Sequence, residues 1–234
     1  MNREVRPTLG RCRPSRSKSS DSYLSRKERL MYVVVREYKV KSGQMDRIIQ
    51  RIRDEIAPLI QEIPGFVGYT IATPSETELS SISFFLDKNG SDESTRVASE
   101  SVKRVLADVV EGSPRVSSGE VIIRAGQPAK KAHFGIMRRF SMTPEQVRAT
   151  LPKVRDGLIP ILTGSAGFVA YSVADCGNGT VISLAAFENR EAAEATSQRA
   201  MAWAEQTMRD IPDPEVIRAE LKLRIVNDAA LPKS

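Results

Sequence analysis

Cysteine, histidine and tryptophan are scarce in this chain: two, one and one among 234 residues. Cys12 and Cys176 cannot form a disulfide scaffold, and His133 alone supplies no His/Cys ligand set. Neither a stapled mini-domain nor a zinc protein is expected. Uninterrupted apolar stretches are missing too. None approaches the roughly 18 residues a spanning helix requires, which excludes a helical membrane protein. The first residues lack the apolar centre of a secretory signal, although their Arg and Ser content leaves a transit peptide open. These absences lead to the expectation of a cytoplasmic protein with no metal and no other cofactor.

Basic charge is in excess, at +6 overall, but the excess is local. Residues 1–30 hold nine Lys and Arg against three acids, so the rest of the chain balances at 26 charges of each sign. That segment has almost no Val, Ile or Phe for a core and reads as a disordered basic tail. A start at Met31, where the first strand pattern opens, stays open as the alternative. Only the tail could meet nucleic acid, nonspecifically and with strong salt dependence.

What the chain does contain is a repeat. Pro64-Gly65-Phe66-Val67-Gly68-Tyr69-Thr70-Ile71-Ala72 returns 102 residues later as Ala166-Gly167-Phe168-Val169-Ala170-Tyr171-Ser172-Val173-Ala174. The same offset sets Arg36 on Arg138, Arg53-Asp54 on Arg155-Asp156, Pro58 on Pro160 and Phe85 on Phe187. Near the end a shift of two residues brings Gly119-Glu120-Val121 through Arg124 onto Ala219-Glu220-Leu221 through Arg224. Identities that keep register through whole elements mark a duplication. The expected organisation is the tail over 1–30, a first unit over 31–125, a polar linker over 126–132, a second unit over 133–227 and a C-terminal tail over 228–234.

Each unit reads strand, helix, strand, strand, helix, strand. On the first strand Tyr32, Val34, Arg36 and Tyr38 share one face, as do Phe134, Ile136, Arg138 and Phe140 in the second copy. Met45, Ile48, Ile49, Ile52, Ile56 and Leu59 have the three-and-four spacing of a buried helical stripe. Thr143-Pro144-Glu145-Gln146 is a helix start. Pro58 and Pro160 are expected to end or kink these helices. The second helices are placed near 92–110 and 190–209, and the last strands at 121–124 and 221–225. This is the order of a ferredoxin-like α+β sandwich, with both helices on one sheet face. The other face would be bare and apolar. Two tandem units are therefore expected to pack sheet to sheet as a dimeric α+β barrel within one chain. The face carrying Arg36 and Arg138 is expected to line the shared interior.

The Gly-Phe-Val-x-Tyr second strand, and the third strand running into Phe187-Glu188-Asn189-Arg190-Glu191-Ala192-Ala193, resemble the antibiotic-biosynthesis-monooxygenase group of dimeric α+β barrels. The likeness occurs once per copy and spans nearly all of 31–227. It implies a cavity between sheet and helices, and activities that range from cofactor-free oxygenation of quinol-type aromatics to haem degradation. Active relatives often carry Trp at the end of the third strand and His about nine residues later, and the haem degraders also use an Asn on the first strand. Here those positions hold Phe85 and Phe187, Ser94 and Thr196, and Arg36 and Arg138, so haem degradation is set aside. Cofactor-free oxygenation survives, because it needs mainly a dry pocket and groups that stabilise a substrate anion.

The cavity candidates are Arg36, Arg138, Tyr32, Phe134, Tyr69, Tyr171, Phe85 and Phe187. No catalytic residue is singled out. A guanidinium among apolar neighbours needs a carboxylate, carbonyls or an anionic ligand. For Arg36 and Arg138 two readings stay open: an internal ion pair or bonds to the other copy, and the binding of a substrate phenolate or enolate. The tyrosines suit either packing or ligand orientation, and Phe85 and Phe187 suit packing. His133 is expected at an exposed strand end, Trp203 in helix-to-sheet packing, and Cys176, in a Gly-Asn turn, as an exposed thiol.

Two functional classes follow. One is a cofactor-independent monooxygenase of a small aromatic or quinol-type compound; the other is a non-catalytic, small-molecule-binding or stress-associated barrel. RNA-recognition motifs share the element order but need exposed strand aromatics on a basic surface, and this body is charge-neutral. Amino-acid-sensing domains share it too, yet no attached catalytic domain is present for them to control. The expected partner is a small molecule, with no membrane and no specific nucleic acid; a homodimer of the fused barrel is left open.

Overall fold

A computed structural model describes residues 31–231, so the basic tail over 1–30 and residues 232–234 lie outside the described part. The strands are β1 (Tyr32–Val40), β2 (Phe66–Ser75), β3 (Glu78–Phe85) and β4 (Val110–Gly126) in the first unit. In the second they are β5 (Phe134–Ser141), β6 (Phe168–Asp175), β7 (Thr180–Phe187) and β8 (Glu215–Val226). Helix α1 begins as Met45–Arg51, passes through a π-helical stretch at Ile52–Ile56 and ends as Ala57–Gln61. Helix α3 repeats this as Pro144–Lys153, Val154–Leu158 and Ile159–Thr163. The second helices are α2 (Lys88–Val105) and α4 (Arg190–Thr207).

The strands close into a barrel in the order β1-β3-β2-β8-β5-β7-β6-β4, with every pairing antiparallel. The two sheets are hydrogen-bonded into one, and the last strand of each unit makes the join. β4 pairs with β1 up to Glu120 and with β6 from Glu120 to Gly126. β8 pairs with β5 up to Glu220 and with β2 from there to Val226. Closure of this kind leaves no free strand edge. The last strands are accordingly much longer than the apolar runs at 121–124 and 221–225 suggest, because Gly112, Ser113, Pro114 and Gly119 hide the first half of β4.

Side-chain alternation places three cores. One lies between the first sheet and its helices and contains Tyr38, Ile48, Ile52, Ile60, Tyr69 and Phe85. Its counterpart in the second unit contains Phe134, Ile136, Val154, Leu162, Tyr171 and Phe187. The third fills the barrel interior with Val33, Val35, Val67, Met137, Ala174 and Ile182. The expected interior face is thus corrected: Arg36 and Arg138 share the side of Tyr38 and Ile136 and look outward, beneath the helices. The interior is largely apolar because Val33 and Val35, not Arg36, point into it. Alternation separates the two faces but does not by itself say which one a helix covers.

Pro58 and Pro160 do not end their helices. Each follows a π-helical stretch and sits in the first turn of the final segment, where a missing N–H costs little. α2 starts earlier and ends sooner than expected, since Asp87 caps it by accepting from the Gly90 amide at 2.8 Å. Asn189 does the same for α4, accepting from the Ala192 amide at 2.8 Å. Trp203 packs on the core of the second unit and against α3, where a Cβ added at Gly157 would lie 2.4 Å from its indole nitrogen. Among the described residues, no helix is long and apolar enough to cross a membrane.

Candidate functional site

Arg36 on β1 is 1% exposed and has no carboxylate partner among the described residues. Its Nη2 donates to Ser94 Oγ at 2.7 Å and to Thr95 Oγ1 at 3.1 Å, both on α2. Nη1 donates to Ser83 Oγ on β3 at 3.2 Å, and Nε is buried without a partner. The hydroxyls are themselves held, since Ser94 and Thr95 donate onward to the Ser91 carbonyl. Three neutral hydroxyls satisfy part of the guanidinium's hydrogen bonding but none of its charge. Burial lowers its pKa, and the nearby phenols of Tyr38 and Tyr69 act the other way.

The two phenols near this cation, Tyr38 and Tyr69, line a small cavity of about 20 Å³ together with Ser81, Ile52, Ile56 and Ala98; Arg36 itself is not part of the lining. That is room for about one water, against roughly 300 Å³ or more for a ligand pocket. Burial raises the phenols of Tyr38 and Tyr69, and Arg36 and Ser81 act the other way. Both therefore stand as neutral donors beside a cation.

The second unit repeats the plan with less of it. Arg138 is half-buried and makes one bond, from Nη2 to Ser197 Oγ at 2.6 Å. Ala185 and Phe140 replace Ser83 and Tyr38 at the repeat positions. Arg218 adds a like charge nearby. Tyr171 keeps its place, its phenol pushed up to about 12 by burial, with Ser183 and Arg138 acting the other way. The remaining candidates are spread more widely. Tyr32 is half-buried opposite Phe85. Phe85 stacks edge-on against Phe66 at 6.1 Å, and Phe187 against Phe168 at 6.0 Å. Phe134 lies under the Arg190 guanidinium at 4.6 Å.

Among the described residues neither internal reading of Arg36 fits: it pairs with no acid and its hydrogen bonds all stay within the first unit. His133 is exposed at the start of its strand. Cys176, expected exposed, is half-buried, and its thiol is pushed up to about 11 by burial and by Asp175. Of the hydroxyls around Arg36, the sequence pattern points only to Ser94, and Ser83 and Thr95 come from the fold. The signal on α2 is the spacing Ser91, Ser94, Ala98, Ser101 and Val105, a helical stripe of small residues buried along α2.

Residues 31–88 match the family model described as antibiotic biosynthesis monooxygenase. No curated protein matches the sequence. Among solved structures, a candidate monooxygenase from Fusobacterium nucleatum subsp. nucleatum superposes with a TM-score of 0.69 at 10% identity, covering 85% of this chain and 95% of that one. A second candidate monooxygenase, from Lactobacillus acidophilus, gives 0.67 at 10% identity, over 85% and 97%. An anthrone oxidase-like protein gives 0.58 at 16% identity, over 89% and 98%. These likenesses are of fold, and each neighbour is matched nearly end to end. The family match falls on the unit that holds Arg36, and by fold the chain is a closed α+β barrel of two tandem ferredoxin-like units, similar to these monooxygenase-like structures.

Proposed function

We propose that the chain is a cofactor-independent monooxygenase of a small aromatic or quinol-type compound, working in the first unit. The observation that carries this reading is Arg36: a buried cation with an unpartnered Nε and no counter-charge among the described residues. Such a group is stabilised by an anion arriving beside it. A phenolate or enolate there gains charge neutralisation from Arg36 and a hydrogen bond from Tyr38 or Tyr69 in a dry site. Lowering the substrate's pKa in this way raises the population of the electron-rich anion, which is the form that reacts with dioxygen. One oxygen atom then bonds to the ring carbon and the other leaves as water, with the substrate as electron donor. Entry requires the cover to move. Ile52 and Ile56 of the π-helical stretch form part of that cover, and such stretches often mark functional positions.

The second reading, a non-catalytic binding barrel, is favoured by Phe85 and Ser94 at the positions where active relatives often have Trp and His. Oxygen consumption by the full chain against hydroquinones and anthrones separates the two. The expected result is uptake above the spontaneous rate that falls about 100-fold in Arg36→Met and little in Arg138→Met. Uptake unchanged in Arg36→Met overturns the assignment of the site. Ligand-induced thermal shifts without uptake support the binding barrel instead.

A further inference from the structure

In the first unit Glu37 on β1 stands opposite Arg115 on β4; in the second, Arg139 on β5 stands opposite Glu215 on β8. The 102-residue offset equates Glu37 with Arg139, and the shifted register of the last strands equates Arg115 with Glu215. Both positions have reversed sign between the copies. The structure also joins each position to its own counterpart. Arg139 Nη2 donates to Glu37 Oε2, and Arg115 Nη1 donates to Glu215 Oε2 at 2.9 Å. Arg139 Nη1 completes the cluster by donating to the same Glu215 oxygen at 2.8 Å.

Residues that meet their own repeat equivalents lie on the axis relating the two units. In a symmetric pair of identical units such a position faces itself. Two first units would set Glu37 against Glu37 and Arg115 against Arg115, and two second units would set Arg139 against Arg139. The Arg139 and Glu37 side chains are 6% and 17% exposed, so solvent would do little to screen a like pair there. Arg115 and Glu215 are about half exposed and contribute less.

We propose that this charge quartet makes the two units complementary to each other and incompatible with a second copy of themselves. The surface of the first unit at the axis fits the second unit and rejects its own kind, by repulsion as much as by attraction. Self-association of the chain must then use another surface. This inference does not depend on the proposed activity.

The test uses the full chain, because a single reversal reproduces the charges of a self-paired unit. Glu37→Arg opposes two guanidiniums at the axis, and Arg139→Glu opposes two carboxylates. Each is expected to lower Tm by about 10 °C. The fourfold exchange E37R/R115E/R139E/E215R, which inverts every charge but keeps every pairing, is expected to regain more than half of that loss. Single reversals melting within about 2 °C of the parent, or a fourfold exchange no better than either single, would overturn the proposal. If none of these variants folds, Glu37→Gln, Arg139→Gln and their double decide it. A double more stable than either single supports the pairing, and one less stable than both refutes it.

Discussion

Tyr38, Tyr69 and Tyr171 face the same physical problem as Arg36, ionisable groups held away from water, and burial raises all three phenols. A folded-state pKa above the unfolded value means the native chain holds its protons longer. The associated stability is complete below the ordinary tyrosine pKa, near 10, and is lost as pH rises through the raised values. In an alkaline titration these phenols are expected to ionise only together with unfolding, Tyr171 at about pH 12 or when the fold opens. Comparing phenolate absorbance in the parent and in Tyr69→Phe and Tyr171→Phe checks this. If either variant removes signal that titrates near 10, the burial account fails. Cys176 offers a second residue-scale expectation. With its thiol raised to about 11, it should alkylate slowly at neutral pH in a Cys12→Ser background, and speed up only when the chain unfolds. Arg36 was legible in the sequence because a charge among β-branched neighbours demands explanation. Its direction was not, since a strand's two faces look alike until something shows which one the helices cover. The hydroxyls that receive it were legible only in part, because serine on a helix reads first as surface.

Gly119 shows how an element's task can depend on one side chain being absent. It sits where β4 leaves β1 for β6, and a Cβ there would lie 2.1 Å from the Asp175 carbonyl oxygen and 2.7 Å from Cys176 Cα. Both are backbone atoms that cannot swing aside. Gly119→Ala is therefore expected to destabilise by about 2 kcal/mol or more, measured by chemical denaturation. Gly112→Ala in the same strand meets nothing within 4 Å and isolates the separate cost of its positive φ. If Gly119→Ala costs no more than Gly112→Ala, the crossing does not depend on close backbone approach. The helix caps give a milder expectation: Asp87→Ala and Asn189→Ala should each cost about 1 kcal/mol by removing an acceptor from the first turn. Element order was legible from periodicity and from the repeat. The bounds of α2 were missed because Lys88-Asn89-Gly90-Ser91 reads as a turn unless Asp87 is recognised as its cap. The length of β4 was missed because its first half, rich in Gly, Ser and Pro, is held by pairing rather than by propensity.

At the scale of the whole chain, duplication was written in the identities at one offset, and closure followed from two bare sheet faces needing cover. What identities could not reveal is the meaning of the differences, and the sharpest of these are Glu37 against Arg139 and Arg115 against Glu215. Either unit alone loses two hydrogen-bonded seams, β2 with β8 and β4 with β6, and exposes Val33, Val35 and Val67 or Met137, Ala174 and Ile182. Apolar area of that kind drives association. Left to itself, a unit can cover it only by pairing with its own copy, which sets like charges together at the axis. Expressed separately, residues 31–126 and 133–231 are thus each expected to aggregate or to form weak dimers. Co-refolded in equal amounts, they should give a one-to-one complex that displaces both. Size-exclusion chromatography with light scattering reads the outcome directly. A stable monomeric half would remove the need for closure, and halves that pair with themselves as readily as with each other would show that the barrel needs cover but does not choose it.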